Sequence, residues 1–193
     1  MNERSDRQNE IADVAAKLFR QKGFAAVSMR DIAASMHIKA ASLYNHITSK
    51  QEVLALVIMD LAAAFTTGIQ EIDASNDSIP NKLAQVIKLH IDLTLLHPNA
   101  MASLNNDWMH LAPEMLVQFT EQRDFYEETL RRIIRDGIAE RIIQPLNEDL
   151  IVFTLLSTLR TLYLWYGRKS NLSEQNLRID LSAALLGGIV KNS

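Results

Sequence analysis

The chain has 193 residues, of which 48% are hydrophobic, and its formal net charge is −3. This composition predicts a globular protein of one or two domains and excludes a disordered chain, and the lack of cysteine excludes disulfide bonds and thiolate chemistry. Residues 1–10 are too polar for a secretory segment, and the apolar residues 150–166 include Arg160, which favours a buried helix over a membrane span, so we expect a cytoplasmic protein.

Apolar residues recur at every third or fourth position along the chain, a spacing typical of amphipathic α-helices. With only six glycines and four prolines to interrupt it, the pattern predicts an all-α fold of about nine helices. In chain order we expect them over about residues 5–22, 28–35, 39–45, 49–72, 79–96, 99–110, 113–140, 147–166 and 173–190. The expected N-caps include Ser28, Ser49, Asn147 and Ser173, and Pro113 suits the first turn of the seventh helix.

Two short predicted helices, residues 28–35 and 39–45, are separated by a turn of only three residues. Their apolar positions, Ile32, Ala33 and Leu43, are expected to face inward, and the small side chain of Ala33 allows the two helices to cross closely. This pattern is typical of a helix-turn-helix, in which the second helix enters the major groove of DNA.

The polar residues around this helix pair predict the DNA contacts. Asn45 is expected to hydrogen-bond a base and Ala40 to contact a thymine methyl group. Lys39 is expected to reach guanine or phosphate, and Arg30 is a second candidate for a guanine edge. Hydroxyl, imidazole and ammonium groups of the others are expected to bind phosphates. The full predicted set is Ser28, Arg30, Lys39, Ala40, Ser42, Tyr44, Asn45, His46 and Lys50.

The charges are unevenly distributed along the chain. Residues 1–50 contain eight Lys and Arg against five Asp and Glu, whereas residues 51–193 contain twelve against eighteen. A basic N-terminal part on an acidic remainder favours a phosphate-binding surface in the first 50 residues. We therefore predict two domains, a DNA-binding domain over residues 1–50 and a helical effector-binding and dimerisation domain over residues 51–193.

Residues 11–54 resemble the DNA-binding domain of the TetR family of transcriptional regulators. The matching residues are Ala15, Leu18, Phe19, Gly23, Phe24, the segment 28–33, the segment 43–47 and the segment 49–54. The run from Leu43 to Lys50 is similar to the family's Leu-Tyr-x-His-Phe-x-x-Lys, with Ile47 in place of the usual aromatic residue. The resemblance implies that Tyr44, His46 and Lys50 bind phosphates.

Two positions depart from that family pattern. His37 stands where the family usually has a turn glycine, and Lys39 stands where the third helix usually starts with Ser or Thr. We expect His37 to adopt the left-handed backbone conformation, which histidine tolerates better than most residues do. These departures put the individual base contacts in doubt but not the fold.

The rest of the chain is apolar and rich in methionine and aromatic residues, which favours a ligand pocket between helices. Core packing is the alternative for each of these side chains. The predicted effector-binding residues are Met101, Trp108, Phe119, Arg123, Phe153, Arg160, Tyr163, Trp165 and Tyr166.

The C-terminal part resembles, more weakly, the TetR-family subgroup that controls fatty-acid and steroid catabolism. The resemblance rests on residues 122–126, Leu130, the pair at 165–166 and the pair at 172–173. It implies an acyl-CoA or another hydrophobic acid as the effector, with Arg123, Arg160 or Arg168 binding its carboxylate or phosphate. An unknown apolar ligand is the alternative, and for Arg160 so is an ion pair with an acidic residue.

The eighth and ninth helices, about residues 148–190, are expected to form a homodimer, because a two-fold dimer matches the symmetry of a palindromic operator. Gly187 and Gly188, which we expect inside the ninth helix, would allow close helix approach.

Three classes of function were weighed: a ligand-responsive repressor, a helical ligand-binding protein without specific DNA binding, and a helical enzyme. Tyr44, His46 and Lys50 favour the first. A phosphate-binding glycine loop and a nucleophile elbow are both missing from the sequence, which disfavours an enzyme. The pair Asp107 and His110 has metal-ligand spacing, but no second matching pair accompanies it. We therefore predict no metal and no cofactor.

Overall fold

The structure, a computed structural model, describes residues 5–166 and 172–191, and its regular elements there are helices. It confirms the predicted all-α fold with nine α-helices in the described residues. They are α1 (Asp6–Lys22), α2 (Met29–Ser35), α3 (Ala40–Tyr44), α4 (Lys50–Ala74), α5 (Ile79–Leu96), α6 (Pro98–Asn106), α7 (Pro113–Ala139), α8 (Glu148–Tyr166) and α9 (Glu174–Leu186), with a short 3-10 helix at Trp108–His110 between α6 and α7.

Side chains cap the predicted helix starts. The hydroxyl oxygen of Ser28 accepts a hydrogen bond from the Asp31 amide, and the Asp31 carboxylate accepts one from the Ser28 amide at 2.8 Å. Asn147 accepts from the amide of Leu150 at 3.0 Å, and Ser173 accepts from the amide of Asn176 at 3.1 Å. Each cap satisfies an amide that the first turn of a helix leaves without an intrahelical partner.

The sequence placed two helix ends wrongly. The sixth helix ends at Asn106, before the 3-10 turn, and not near His110. The last helix ends at Leu186, so Gly187 and Gly188 follow it and do not lie inside it. The chain then pairs with the segment before α8. The backbone amide of Gln144 donates to the carbonyl of Ile189 at 2.8 Å, and the backbone amide of Lys191 donates to the carbonyl of Ile142 at 2.9 Å.

The described chain forms two compact units. One, here called the N-terminal unit, contains the residues up to 63 and residues 97–121; the other, the C-terminal unit, contains residues 64–96 and those from 122 onward. The predicted domain boundary at residue 50 stays a prediction, since it divides the chain by function and not by compactness.

In the N-terminal unit, α1 packs against α6 and α2, and α2 packs against α3. The largest fully buried side chains of its core include Phe19, Ile32, Leu43, Ile47 and Leu54. Burying each such side chain contributes about 1.5–3 kcal/mol, which fixes the helix pair against α1 and α4.

In the C-terminal unit, α5 packs against α8 and α9. Helices α5 and α7 meet at two points: Tyr126 contacts His90, and Gly137 lies against Ile79. A Cβ atom at Gly137 would lie 2.8 Å from Ile79 Cγ2 and 2.6 Å from Ile143 Cδ1, so glycine is required for this close approach.

Helix α4 is the one helix of the described chain that is long and apolar enough, by length and composition, to cross a membrane. Its most apolar window has a mean hydropathy of 1.8, and 44% of that window is buried inside the protein. The core helix of a soluble protein has the same properties.

Candidate nucleic-acid interface and effector region

The turn between α2 and α3 has the predicted geometry. His37 has a φ of 55°, in the left-handed region, which confirms the expectation for this position. The amides of His37 and Ile38 donate to the carbonyls of Ala34 and Ala33, both at 3.0 Å. The turn is therefore tight and hydrogen-bonded although glycine is replaced by histidine.

Most of the predicted DNA contacts are exposed, and the inward-facing Leu43 is fully buried. Tyr44, a large aromatic residue, is 52% exposed. The other exposed members of the set are Ser28, Arg30, Lys39, Ser42, Asn45 and His46, whereas Ala40 and Lys50 are half-buried. The packing of α2 and α3 thus leaves polar groups of both helices available to a partner.

Ser28 has a role within the protein itself. Its hydroxyl group lies 2.5 Å from the Asp31 carboxylate, and this hydrogen bond, together with that from the Ser28 amide, lowers the pKa of Asp31. Since this bond and the cap engage the hydroxyl, its predicted contact with DNA stays a prediction.

Lys50 also has partners within the protein. Its ammonium group donates to the carbonyls of Phe24 and Val27, each at 2.8 Å, and lies 4.2 Å from the centre of the Phe24 ring. These contacts fix the loop that leads into α2. The predicted phosphate contact of Lys50 stays a prediction, and it competes with these carbonyls for the same three N–H donors.

Other side chains hold the helix pair in place within the N-terminal unit. Gln8 on α1 donates to the carbonyl of His46 at 3.4 Å, and the ring of Phe24 stacks on His110 with centroids 5.0 Å apart. Arg20 on α1 donates to Asn99 on α6 at 3.1 Å. The helix pair is therefore anchored to α1, and α1 to α6.

Three of the predicted effector-binding residues lie in the N-terminal unit. Met101 is fully buried, and Trp108 stacks on Phe119 with ring centroids 5.7 Å apart. Phe119 belongs to the same buried cluster as the core of α1 to α4, and Trp108 packs against it. These three side chains therefore pack in or against the core of the N-terminal unit, which is the alternative to effector binding.

The predicted residues on α8 are divided between its two faces. Phe153 is 67% exposed and Trp165 is 49% exposed, whereas Tyr163 is buried. Tyr166 is half-buried and its hydroxyl donates to the carbonyl of Leu172 at 3.3 Å. The side chains predicted on α8 therefore do not all face one cavity.

The cations predicted to bind an acidic effector also differ in their surroundings. Arg160 forms an ion pair with Glu127 at 2.6 Å, which is the alternative considered for this arginine. Arg123 lies 3.5 Å from the carboxylate of its neighbour Asp124, and Arg168 lies outside the described residues. An anion that binds Arg160 must therefore compete with Glu127.

A surface groove of about 430 Å³ lies between α8 and α9. It is lined by Ser157, Thr158, Thr161, Leu162, Trp165 and Leu181.

Among the residues that the structure describes, no group of three or more His, Asp or Glu side chains could hold a metal ion, and Asp107 with His110 does not form part of one.

The C-terminal unit contains a buried polar cluster that was not predicted from the sequence. His90 on α5 is 3% exposed, and its Nε2 lies 3.0 Å from the hydroxyl oxygen of Tyr126 on α7. Burial, assisted by the charge of Arg160, lowers the pKa of His90 to about 3, so the ring is neutral at physiological pH. The sequence signal for this cluster was a pair of polar residues one helical turn apart on each helix: His90 and Thr94 on α5, and Gln122 and Tyr126 on α7.

Two family models match this chain. The model described as bacterial regulatory proteins, tetR family, matches residues 11–57, and the model described as tetracyclin repressor-like, C-terminal domain, matches residues 76–189. The two matches together extend over both compact units.

Characterised relatives match along almost the whole chain. The HTH-type transcriptional repressor KstR2 of Mycolicibacterium smegmatis is 26% identical over 191 residues, covering 97% of this chain and 93% of the relative. The solved structure of the ketosteroid transcriptional regulator KstR2 of Mycobacterium tuberculosis has a TM-score of 0.90 at 23% identity and covers 97% of both chains. The structure of AibR in complex with isovaleryl coenzyme A and operator DNA has a TM-score of 0.80 at 19% identity, covering 93% of this chain and 97% of AibR.

Proposed function

Because the chain belongs to the TetR family of transcriptional regulators, we propose that it is a repressor that binds a palindromic operator as a homodimer and releases it on binding a small hydrophobic effector. The family consists of regulators and not of enzymes. The observation that carries the proposal is the helix pair α2–α3, in which a buried Leu43 and a left-handed turn at His37 leave polar side chains exposed. We expect the protein to act in the cytoplasm, where its operator is.

The exposed residues of α3 are proposed to read the operator. Asn45 has the donor and acceptor needed for a base edge, and Ala40 offers a methyl group to thymine. Tyr44 and His46, at and just after the end of α3, are proposed to hold phosphates, as is the amino end of α4, where the helix dipole favours an anion. Lys39 and Arg30 add positive charge on the same two helices.

The homodimer is proposed to form through α8 and α9. Large apolar side chains on these helices are exposed in the single chain: Phe153 by 67%, Leu164 by 48%, Trp165 by 49% and Ile179 by 58%. An exposed apolar surface of this kind is typical of a protein interface. A two-fold dimer would present its two α3 helices to half-sites about one helical turn of DNA apart, roughly 34–36 Å.

The effector is proposed to be an acyl-CoA or another ligand with a hydrophobic skeleton. This proposal draws on the relatives, one named as a ketosteroid regulator and one solved with isovaleryl coenzyme A and operator DNA. The largely apolar C-terminal unit supports it. An unidentified apolar ligand without an acidic group is the second candidate, favoured by the pairing of Arg160 with Glu127.

The main test is fluorescence anisotropy of the purified protein with DNA from upstream of its own gene, at stated salt concentrations and with a panel of acyl-CoAs. Tight binding that weakens with salt and is released by one acyl-CoA is the expected result. Binding that no acyl-CoA releases would leave the repressor and reject the acyl-CoA effector. If selection from random DNA also yields no specific site, the alternative of a ligand-binding protein without specific DNA binding replaces the repressor.

Single substitutions in α3 separate base contacts from phosphate contacts. Asn45→Ala is expected to change sequence preference, by about 1–3 kcal/mol at one base pair, whereas Tyr44→Phe is expected to weaken binding about equally on all sequences. Lys191→Ala, an exposed lysine of the C-terminal unit, is the control and is expected to change neither. If Tyr44→Phe and Asn45→Ala both bind like the wild type, α3 is not the recognition helix.

A further inference from the structure

Three buried polar atoms along the contact between α5 and α7 have no hydrogen-bond partner among the described residues. They are Nδ1 of His90, Oγ1 of Thr94 and Oε1 of Gln122. Folded proteins leave few buried polar atoms unpaired, because each one loses its bonds to water without replacement. Three such atoms on one helix contact therefore call for an explanation beyond core packing.

The register of the two helices brings these atoms together. Ile79 lies against Gly137 and His90 against Tyr126, and the same number of residues separates each pair along its own helix. Helices α5 and α7 are therefore antiparallel with a constant register, and the next turn of each brings Thr94 and Gln122 to the same level. We call these four residues, His90, Thr94, Gln122 and Tyr126, the α5–α7 seam.

The α5–α7 seam has hydrogen-bonding capacity but no charge of its own. Burial keeps the pKa of His90 far below its ordinary value and raises the pKa of Tyr126, so both side chains are neutral. The cation whose field reaches both is Arg160, and its charge is already balanced by Glu127 at 2.6 Å. A buried anion here would have to share Arg160 with Glu127. A hydroxyl group could bond all three unpaired atoms, because it can donate to Oε1 of Gln122, which only accepts, and accept from Thr94 and from Nδ1 of His90; a ketone oxygen, which only accepts, would leave Oε1 unpaired.

The surroundings of the seam are apolar. The ring of Phe65 on α4 lies 4.7 Å from the ring of His90 and packs edge-on against Tyr126 at 5.9 Å between centroids. Val86 and Leu83, one and two helical turns before His90 on the same face of α5, are fully buried. A ligand at this place would have an apolar body and one embedded uncharged polar group.

We propose that the α5–α7 seam recognises a hydroxyl group on the hydrophobic skeleton of the effector. The inference rests on the proposed function, because it takes the ligand of this seam to be the effector of the repressor. The ligand hydroxyl donates to Oε1 of Gln122 and accepts from the hydroxyl of Thr94 on one side, and on the other it accepts from Nδ1 of His90, whose Nε2 is held by Tyr126.

The position of the unpaired atoms also links ligand binding to a change of shape. All three are sealed from solvent in this structure, so a ligand reaches them only in a conformation in which α5 and α7 lie further apart. A ligand that binds only one of two conformations shifts the protein toward it. Filling the seam therefore moves two helices of the C-terminal unit.

The test uses three probes with one carbon skeleton: 4-tert-butylcyclohexanone, 4-tert-butylcyclohexanol and 4-tert-butylcyclohexanecarboxylate. Their binding to the full-length protein is measured by calorimetry or ligand-observed NMR. The alcohol is expected to bind most tightly, the ketone more weakly because it cannot donate to Oε1 of Gln122, and the carboxylate at least about tenfold more weakly than the alcohol, since its charge is unpaired in the seam. Equal or tighter binding of the carboxylate overturns the proposal.

Two variants locate the binding. Thr94→Val, which removes one hydrogen-bonding group at nearly constant shape, is expected to weaken binding of the alcohol about two- to tenfold. It is also expected to keep or raise the melting temperature of the ligand-free protein, because it removes an unpaired hydroxyl. Thr94→Ser, which retains the hydroxyl, is expected to restore binding. If Thr94→Val does not fold, Gln122→Met is measured with the same expectations.

The matched control is Ser103→Ala, since Ser103 Oγ is also buried and unpaired but lies in the N-terminal unit. It is expected to leave probe binding unchanged. A folded Thr94→Val or Gln122→Met protein that binds the alcohol like the wild type overturns the proposal, while DNA binding by the wild type keeps the repressor. If the wild type fails to bind DNA but the probes follow the expected pattern, the seam stands and the proposed function falls.

Discussion

Acidification from pH 7.5 to pH 5.0 is predicted to destabilise the protein through one buried side chain, His90. This residue is 3% exposed, and its pKa of about 3 in the folded protein compares with 6.5 for the ordinary side chain. Between these two values the unfolded chain binds a proton that the folded protein does not bind. The resulting stability is present above pH 6.5 and is lost as the pH falls below it.

The magnitude follows from these two pKa values. At pH 5.0 nearly all unfolded chains carry the proton on this histidine and almost no folded chains do, which lowers the free energy of unfolding by about 2 kcal/mol relative to pH 7.5. For a chain of this length that corresponds to a melting temperature lower by about 4–8 °C. Asp31 and Glu148, whose pKa values are lowered from 3.8 and 4.5, contribute mainly at more acid pH.

The assay is denaturant-induced unfolding at both pH values and at one protomer concentration, since the stability of the proposed dimer would depend on concentration. His90→Gln, which does not titrate, is expected to lose much less stability than the wild type on acidification. His46→Gln replaces an exposed histidine and is expected to behave like the wild type. A loss of stability as large in His90→Gln as in the wild type would refute the reasoning, as would a wild type equally stable at both pH values.

Three further substitutions test local contacts. Ser28→Ala, which removes the N-cap of α2, is expected to lower stability by about 1 kcal/mol in thermal unfolding, and Ser42→Ala, outside the cap, by much less. Lys50→Met is expected to speed hydrogen exchange of the amides at residues 24–34, because it frees the loop carbonyls, whereas Lys50→Arg is not. Unchanged exchange in Lys50→Met would show that Lys50 does not hold this loop and would leave phosphate binding as its one proposed role. Gly137→Ala is expected to cost about 1–3 kcal/mol through overlap with Ile79 and Ile143. Gly188→Ala, which meets nothing within 4 Å, is the control, and equal stability of the two glycine variants would contradict the close approach.

Local patterns in the sequence were sufficient to predict the helices and their caps. Ser28, Asn147 and Ser173 cap helices because each bonds an amide three residues ahead, a relation visible in the sequence. The left-handed backbone at His37 was predicted from the family resemblance, because a glycine usually stands at this turn position and histidine tolerates that conformation better than most residues do. The TetR resemblance of residues 11–54 arises from the same short-range spacing.

The predictions that need distant partners were less complete. The end of α9 was misplaced because the residues after it pair with residues 142–144, a contact that the sequence does not reveal. The effector residues were predicted as one set, but Trp108 stacks in the core of the N-terminal unit while Phe153 is exposed on α8. A stripe of apolar residues indicates which face of a helix is buried, but not which other helix covers that face.

The sequence by itself determined that the chain is helical, where its helices begin and which short helix carries the polar residues proposed to contact DNA. These properties depend on residues within one or two helical turns of each other. Only the tertiary structure decided that Lys50 bonds the carbonyls of Phe24 and Val27, that Arg160 pairs with Glu127 and that His90 meets Tyr126. These partners lie between 23 and 36 residues apart, and the packing of whole helices, not the local spacing of residues, brings them into contact.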